Sequence, residues 1–295
     1  MKKEEFDNII KENIAKTIGN DHFGYTILET SKTYNNYYNK QSFFKFIEDM
    51  KSSHYHKAFC AYCDGKGSEL IEHMGRYGKL PPKMASVASS SRLCFLALKD
   101  GASAINGTGE VKFEYECKIE GITGIAPQLD AYVQNENIFI EAKCHEIFDA
   151  HHIIMKNKYW NLIYGCHNQF GFKQLQNNNE KEFKIPLSVF GINKTYSMFD
   201  IKQFLCHLLG IAAHSKEQKT LVYMFFKPVS DHIEIQKKID KVFSDLKEEI
   251  ESIFNSYPIR NFCKLNHIEL SAIAEEAKIM ESLTKENMMI LYKDE

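Results

Sequence analysis

The sequence predicts an α/β fold in which helices flank a central mixed sheet of four or more strands. Residues 111–119 alternate between apolar and polar side chains as a strand does, and 129–133 and 138–142 are β-rich runs joined by the polar turn 134–137. Residues 221–226 are continuously apolar, which indicates a strand buried on both faces. Apolar side chains recur at helical spacing before and after these runs, so the order of elements predicts a layered α/β domain.

The helices are predicted from apolar stripes and from the residues that begin or end them. Ser197 is a fair N-cap for a later helix, and Pro81-Pro82 opens an earlier one that Asp100-Gly101 ends. The predicted helical segments are two stretches within 1–60, a short helix over 68–74, a longer one over 81–98, residues 151–160, residues 200–213, residues 235–254 and a last helix over 267–284.

These elements divide the chain into three regions. Residues 1–64 are predicted to form a helical N-terminal region, and residues 229–295 a helical C-terminal region. Between them, residues 65–228 hold the sheet and carry an insertion at 161–196, which is irregular and rich in Asn, Phe and Gly.

Composition excludes some classes of protein. With 295 residues, 44% hydrophobic and 26% charged, the chain can bury a substantial core. Its net charge of −2 excludes a surface that is positively charged throughout but allows a local basic cleft. No apolar stretch approaches the ~20 residues of a membrane helix, and the N-terminus lacks the apolar segment of a secretory signal. The eight cysteines have no disulfide framework spacing, so we expect reduced thiols and a cytoplasmic protein.

Two carboxylates and an amine are predicted to meet where the two β-rich runs adjoin. Pairing these runs as a hairpin brings Asp130 opposite the end of the second strand, where Glu141 and Lys143 point to the same face. Carboxylate oxygens are hard ligands that suit a divalent cation, and a lysine beside them can handle a water molecule. The alternative is a solvent-exposed hairpin whose charged side chains have no function. The dense apolar run 138–140 favours a central strand instead.

Asp130 followed by Glu141-Ala142-Lys143 resembles the core motif of the PD-(D/E)XK nuclease superfamily, the fold of many restriction endonucleases. The family's proline-aspartate pair is Leu129-Asp130 here, with the proline displaced to Pro127. The resemblance implies a restriction-endonuclease-like core over residues 65–228. It also implies a metal-dependent DNA endonuclease, of the type II restriction or defence class. Mg²⁺, for which Mn²⁺ can substitute, would be held by Asp130, Glu141 and the Ala142 carbonyl, and Lys143 would orient the attacking water.

Many members of the superfamily also carry a glutamate upstream of the first core strand. Glu69, in the first turn of the predicted helix after Gly67, is our candidate for this catalytic position. Glu72 and Glu116 are rivals. Ordinary complementation of the helix dipole is an equally good account of Glu69.

Three further residues are candidates for substrate binding. Gln203 and His207 share one flank of the predicted helix with Asp200, beside the core sheet. Arg92 follows a run of serines and suits a phosphate contact, whereas Ser91 suits helix packing. The alternative for Gln203 and His207 is that they are solvated polar residues at the edge of the apolar stripe, without a function.

Four residues have side chains that can bind zinc and lie close together in the sequence: His54, His56, Cys60 and Cys63. The two pairs are separated by three residues, against ~12 in common zinc fingers, so reduced thiols in a packed helix are the favoured interpretation. The sequence offers no four suitably clustered cysteines for an iron–sulfur cluster.

The expected partner is double-stranded DNA, with a homodimer and a DNA methyltransferase encoded nearby as further expectations. The insertion at 161–196 exceeds the usual connection of about 4–6 residues and offers Lys, Asn and Gln side chains, so we expect it to carry recognition. Two alternatives stay open: a repair or RNA-processing nuclease of the same fold, and a catalytically silent DNA-binding protein.

Overall fold

The structure is a computed structural model of the chain. It describes residues 56–276, except 66–68, 76–77, 87, 106, 120, 125, 165–168, 174 and 178–179, together with residues 44, 47, 48, 51 and 288–293. Most of the predicted N-terminal helical region therefore lies outside the described residues. None of the helices in the described ranges has the length and apolar character needed to cross a membrane.

The elements are numbered in chain order within the described residues. The α-helices are α1 (His56–Cys63), α2 (Ser90–Leu98), α3 (Trp160–Ile163), α4 (Ile201–His214), α5 (Ile233–Asn255) and α6 (Tyr257–Asn266). The strands are β1 (His73–Gly75), β2 (Gly78–Leu80), β3 (Val111–Glu116), β4 (Gln128–Val133), β5 (Ile138–Lys143), β6 (Ile154–Lys156), β7 (Gln176–Asn177), β8 (Glu182–Lys184), β9 (Lys219–Lys227), β10 (Ile268–Glu276) and β11 (Met288–Lys293).

The main sheet is mixed, as predicted, and its described strands follow the order β11-β10-β9-β5-β4-β3. Strands β3, β4 and β5 form an antiparallel meander, β9 lies parallel to both β5 and β10, and β11 is antiparallel to β10. The apolar run of β9 is buried along nearly its whole length, because β9 is an inner strand covered on both faces. The sequence therefore predicted β3, β4, β5 and β9 at their observed places.

Helices cover both faces of this sheet. On one face, Tyr62 of α1 and Phe95 of α2 pack on Phe113 of β3, with ring centroids 5.4–5.7 Å apart. On the other face, His214 at the end of α4 contacts Tyr132 of β4. Because alternate residues of a strand point to opposite faces, α2 and α4 enclose the β4–β5 pair between them.

The predicted last helix over 267–284 is wrong over residues 268–276, which form β10. Ile268, Leu270 and Ala272 are buried while Glu269 is exposed, so the observed period is two and not 3.6. The Ala- and Glu-rich composition favours a helix, but parallel pairing with β9 buries the apolar face. The C-terminal region is helical in α5 and α6 and then rejoins the sheet.

Two other predicted helices upstream are also wrong in part. His73–Gly75 and Gly78–Leu80 pair as the antiparallel strands β1 and β2, so the described residues 69–74 form no helix. The helix predicted from Pro81 begins only at Ser90, after a 3₁₀ turn over Lys83–Ala85, because the Ser89 side chain caps the helix by accepting from the Arg92 N–H.

Two predictions beside the insertion also need correction. Within residues 151–160, residues 154–156 form β6 and residues 157–159 a 3₁₀ turn. The N-cap of α4 is Asp200, which accepts from the Gln203 N–H, and not Ser197. The Ser197 hydroxyl donates instead to the buried Glu249 carboxylate of α5.

The insertion is more ordered than predicted. Strands β6, β8 and β7 form a three-stranded antiparallel sheet that includes part of residues 161–196. Phe170 is buried and stacks on Phe262 of α6 with ring centroids 4.0 Å apart, and Phe172 is also buried. These aromatic side chains therefore fold the insertion against the core.

Candidate active site

The β4–β5 pair opens into a fork at the predicted position. The last pair of residues in this ladder is Ala131 with Ile140, although β5 continues to Lys143. Beyond that point Asp130 Oδ2 accepts a hydrogen bond of 2.7 Å from the Ala142 N–H. A side-chain carboxylate thus replaces the backbone carbonyl that a continued ladder would supply. This brings Asp130 to the end of β5, as the hairpin predicted.

Glu141, Lys143 and Gln203 form a closed hydrogen-bond network beside this fork. Lys143 Nζ donates to Glu141 Oε1 at 2.7 Å and to Gln203 Oε1 at 2.6 Å, and Gln203 Nε2 donates to Glu141 Oε1 at 2.8 Å. Glu141 and Lys143 are 4% and 8% exposed. Buried charges with several partners are held in one geometry, so α4 positions the lysine through Gln203.

The charge on Lys143 is stabilised by its acidic neighbours. Burial alone lowers the pKa of Lys143, but attraction to Glu141 and Glu146 outweighs burial, and the pKa lies above its ordinary value. The amine is therefore a fixed positive charge in the network and can donate to an oxygen of a bound molecule.

His207 lies behind Glu141 and supports the network from the protein interior. Its ring is 1% exposed, with Nδ1 2.9 Å from the Tyr223 hydroxyl and Nε2 3.8 Å from Glu141 Oε2. Burial lowers the pKa of His207, so the ring is neutral near pH 7 despite Glu141. His207, a predicted substrate-binding residue, is buried and does not line the cleft.

The Asp130 carboxyl keeps some exposure but lies deep among protein atoms. Its pKa lies well above its usual range, because burial disfavours the ion and because Glu141 and Glu114 repel it. The Ser91 hydroxyl lies 3.4 Å from Asp130 Oδ1 and also hydrogen-bonds Glu114. Since a hydroxyl carries one proton, it can donate to one of these carboxylates at a time.

Glu114 on β3 is a site residue that the sequence reasoning missed. The β3–β4 pairs on either side, Phe113 with Ala131 and Tyr115 with Leu129, place Glu114 across from Asp130, and Glu114 Oε1 accepts from the Tyr62 hydroxyl at 3.1 Å. Its φ of 49° is left-handed, a strained conformation for glutamate. Burial and then repulsion by Glu69 raise the pKa of Glu114 to about 7, although its hydrogen bonds oppose this. Working out the β3–β4 register would have found it.

A cleft of about 670 Å³ opens onto these groups. Its lining combines acidic, basic and small polar side chains, among them Glu69, His73, Lys83, Ser89, Ser90, Ser91, Glu114, Asp130, Glu141, Lys143, Glu146 and Gln203. Substrate-sized clefts with convergent polar groups and shifted pKa values are typical of catalytic sites.

The structure separates the three candidates for the upstream glutamate. Glu69 lines the cleft and pairs with Lys83 at 2.9 Å, but it lies in a turn and not in the predicted helix. Glu72 is exposed and pairs with Lys79, and Glu116 lies opposite Gln128 outside the cleft lining.

Arg92, the predicted phosphate contact, does not line the cleft. Arg92 is 3% exposed, and its Nη1 donates to the Met84 carbonyl at 2.8 Å, so it ties α2 to the preceding turn. The serines before it line the cleft, and Ser91 among them is also buried, as its predicted packing role requires.

Within the described ranges, no group of three or more His, Cys, Asp or Glu side chains is arranged to hold a metal ion. For the weighed zinc site, His56 Nε2 lies 3.5 Å from Cys60 Sγ on exposed α1, and Cys63 is a free thiol on the same helix. His54 lies outside the described residues.

Comparisons with models of known protein families, with characterised proteins and with solved structures found no match for this chain.

Proposed function

We propose that this chain is a metal-dependent endonuclease that hydrolyses DNA phosphodiester bonds, built on a restriction-endonuclease-like core. The observation that carries the proposal is the forked β4–β5 pair. There Asp130 bonds to the Ala142 N–H, while Glu141 and Lys143 project from β5 into the same cleft. The mixed sheet, with β5 on its inside between α2 and α4, supports the same proposal.

The residues at the fork fit a divalent cation. Asp130, Glu141 and Glu114 are carboxylates near one another, and their mutual repulsion contributes to the raised pKa values of Asp130 and Glu114. Excess buried negative charge is relieved by a bound cation with hard oxygen ligands. Asp130, Glu141 and the Ala142 carbonyl would hold Mg²⁺ or Mn²⁺. Two side-chain ligands and a backbone oxygen are compatible with the absence of a group of three such side chains among the described residues.

The side chains divide the chemistry of phosphodiester hydrolysis between them. When bound, the cation lowers the pKa of a water molecule and offsets the charge of the phosphate. Lys143, fixed by Glu141 and Gln203, orients that water and donates to a phosphate oxygen. Glu141 and Gln203 prevent the lysine from turning away from the cleft, and His207 supports Glu141 from behind.

Restriction is the biological setting that the motif resemblance favours. A homodimer would present two clefts to the two strands of a duplex, and the size of the protein in solution checks this. A DNA methyltransferase gene beside the coding gene would support restriction, since the host's own sites then need protection.

The deciding experiment is cleavage of supercoiled and linear DNA by the purified protein. We expect cleavage with Mg²⁺ or Mn²⁺, none with EDTA, and none by Asp130→Ala. Asp231→Ala is the matched control, because Asp231 is exposed and lies outside the cleft lining. Duplex RNA is tested in parallel. Cleavage that is insensitive to EDTA and to Asp130→Ala would reject the proposal, and cleavage of RNA alone would identify the processing nuclease.

Metal binding provides a second, independent readout. Calorimetric titration of Mn²⁺ into Asp130→Ala and Glu141→Ala should show lost or much weakened binding, with circular dichroism unchanged from the wild type. Unchanged affinity in both variants would remove the cation from this site.

A further inference from the structure

A second concave surface lies on the three-stranded sheet, outside the cleft. This groove of about 610 Å³ has polar residues along its rim and aliphatic residues beneath them. The polar lining residues are His152, Gln176, Lys184, Lys194 and Thr195, and the aliphatic ones are Ile153, Ile154, Ile185, Pro186 and Leu187.

The register of the small sheet explains why these side chains face outwards. Met155 of β6 is paired with Phe183 of β8, and both are completely buried against the core. Successive residues of a strand point to opposite faces, so Lys184, next to Phe183, points away from the core. Its partners are Ile154 on one side and Gln176 on the other. The sheet therefore presents Lys184 at the centre of its outer face.

The groove is positively charged in a chain of net charge −2. The described residues that line it include two lysines and neither Asp nor Glu. Lys184 is exposed and forms no ion pair with any described residue. Lys194 is 52% exposed at its side chain and lies 3.9 Å from the buried Glu249. The exposed amine of Lys184 and the half-exposed amine of Lys194, which pairs at 3.9 Å with the buried Glu249, form a surface suited to a polyanion.

His151 links the groove to the cleft. The backbone of His151 bridges to Ser197, so His152 and Thr195 of the groove flank this bridge. The His151 ring lies 3.0 Å from the carbonyl of Glu146, which lines the cleft, and 3.9 Å from Asp200, the N-cap of α4. His151 therefore lies between residues that line the cleft and residues that line the groove.

We propose that this groove binds the phosphate backbone of duplex DNA on one flank of the cleft. This inference rests on the proposed function and adds the surface that holds the substrate away from the reacting bond. Lysine amines, with Gln176 and Thr195 as further donors, suit phosphate oxygens. The lining contains no Phe, Tyr or Trp on which separated bases would stack, and this favours a duplex over a single strand.

The test is charge reversal at the groove with a matched control elsewhere. Lys184→Glu/Lys194→Glu changes the groove. Lys216→Glu/Lys238→Glu changes the net charge equally at two exposed lysines that line neither the groove nor the cleft. Binding is measured by fluorescence anisotropy with a labelled DNA duplex, in EDTA so that no cleavage occurs, over a series of salt concentrations.

We expect the groove variant to bind DNA at least about tenfold more weakly, and the slope of log affinity against log salt to fall by about 2. The control should stay within about twofold of the wild type. Lys184→Gln/Lys194→Gln should lower the slope similarly, which keeps the test decisive if charge reversal disturbs folding. Equal affinities for the groove and control variants would overturn the proposal, as would weakened binding of duplex RNA with unchanged binding of DNA.

The binding assay separates this proposal from the nuclease proposal. If the protein binds DNA through the groove and never cuts it, the groove stands and the nuclease function fails. If it cuts DNA and the groove variant binds and cuts as the wild type does, the nuclease function stands and the groove fails. A wild-type protein that binds no DNA overturns the groove directly.

Discussion

The cleft and the lysine groove differ in charge and in burial. The cleft gathers the carboxyl groups of Asp130, Glu141 and Glu114 around the buried amine of Lys143. The groove presents Lys184 and Lys194 to solvent on a small sheet. A net charge of −2 conceals this separation, because the acidic and basic groups lie on different surfaces.

The difference reflects what each surface is proposed to do. Groups that take part in chemistry need low dielectric surroundings and fixed geometry, since these strengthen electrostatic interactions and shift pKa values. Groups that hold a polyanion act through long-range attraction and can remain solvated. Changes in the cleft should therefore affect the rate, and changes in the groove should affect affinity.

The largest effect is expected from Glu141→Gln. This variant removes a proposed cation ligand while keeping the shape of the side chain, so we expect DNA cleavage to fall by about 10³-fold or more. DNA affinity, measured in EDTA, should change by less than about threefold. Glu251→Gln, at a partly exposed position of α5 outside the cleft lining, is the control. A rate within about tenfold of the wild type would show that the chemistry does not need this carboxylate.

Lys143→Ala should slow cleavage by about 10²-fold while sparing Mn²⁺ binding, because it removes the positive charge beside the reacting oxygen. Lys143→Arg should not restore the rate, since a planar guanidinium is larger than the amine that Glu141 and Gln203 hold at 2.7 and 2.6 Å. Single-turnover rates of the two variants check this. Full activity of the arginine variant would show that any positive charge at position 143 supports cleavage.

Gln203→Ala should lower the single-turnover rate by about tenfold, because Lys143 would keep its bond to Glu141 and lose its second partner. The Michaelis constant should stay nearly constant, since Gln203 positions the lysine and the groove holds the DNA. His214→Ala, at the far end of the same helix, is the control. A higher Michaelis constant with an unchanged single-turnover rate would assign Gln203 to substrate binding.

The smallest effect concerns Glu114 and the pH dependence of stability without metal. Its folded pKa of about 7 exceeds the ordinary value of 4.5, so the stability it contributes is present below pH 4.5 and is lost as the pH rises through about 7. Glu114→Gln should therefore raise the free energy of unfolding by about 1–3 kcal/mol at about pH 8, and by much less near pH 4. Denaturant titrations at both pH values check this, with Glu116→Gln as the control. An equal increase in the free energy of unfolding at both pH values would exclude ionisation of Glu114 as the cause.

Local patterns predicted those parts of the molecule whose neighbours come next in sequence. Strands β4 and β5 are joined by a short polar turn, so their pairing and the meeting of Asp130 with the end of β5 follow from the hairpin. The apolar run of β9 and the stripe of α5 were equally clear. In each case the residues that show the sequence pattern are the same residues that form the predicted element.

The sequence by itself determined the β4–β5 hairpin, the inner strand and the positions of Asp130, Glu141 and Lys143, because side-chain period and turn length are local properties. Only the tertiary structure decided that residues 268–276 become β10, that Glu114 faces Asp130, and that Arg92 is buried while the serines before it line the cleft. These outcomes depend on which distant surface covers a segment, and the burial gained there outweighs local propensity.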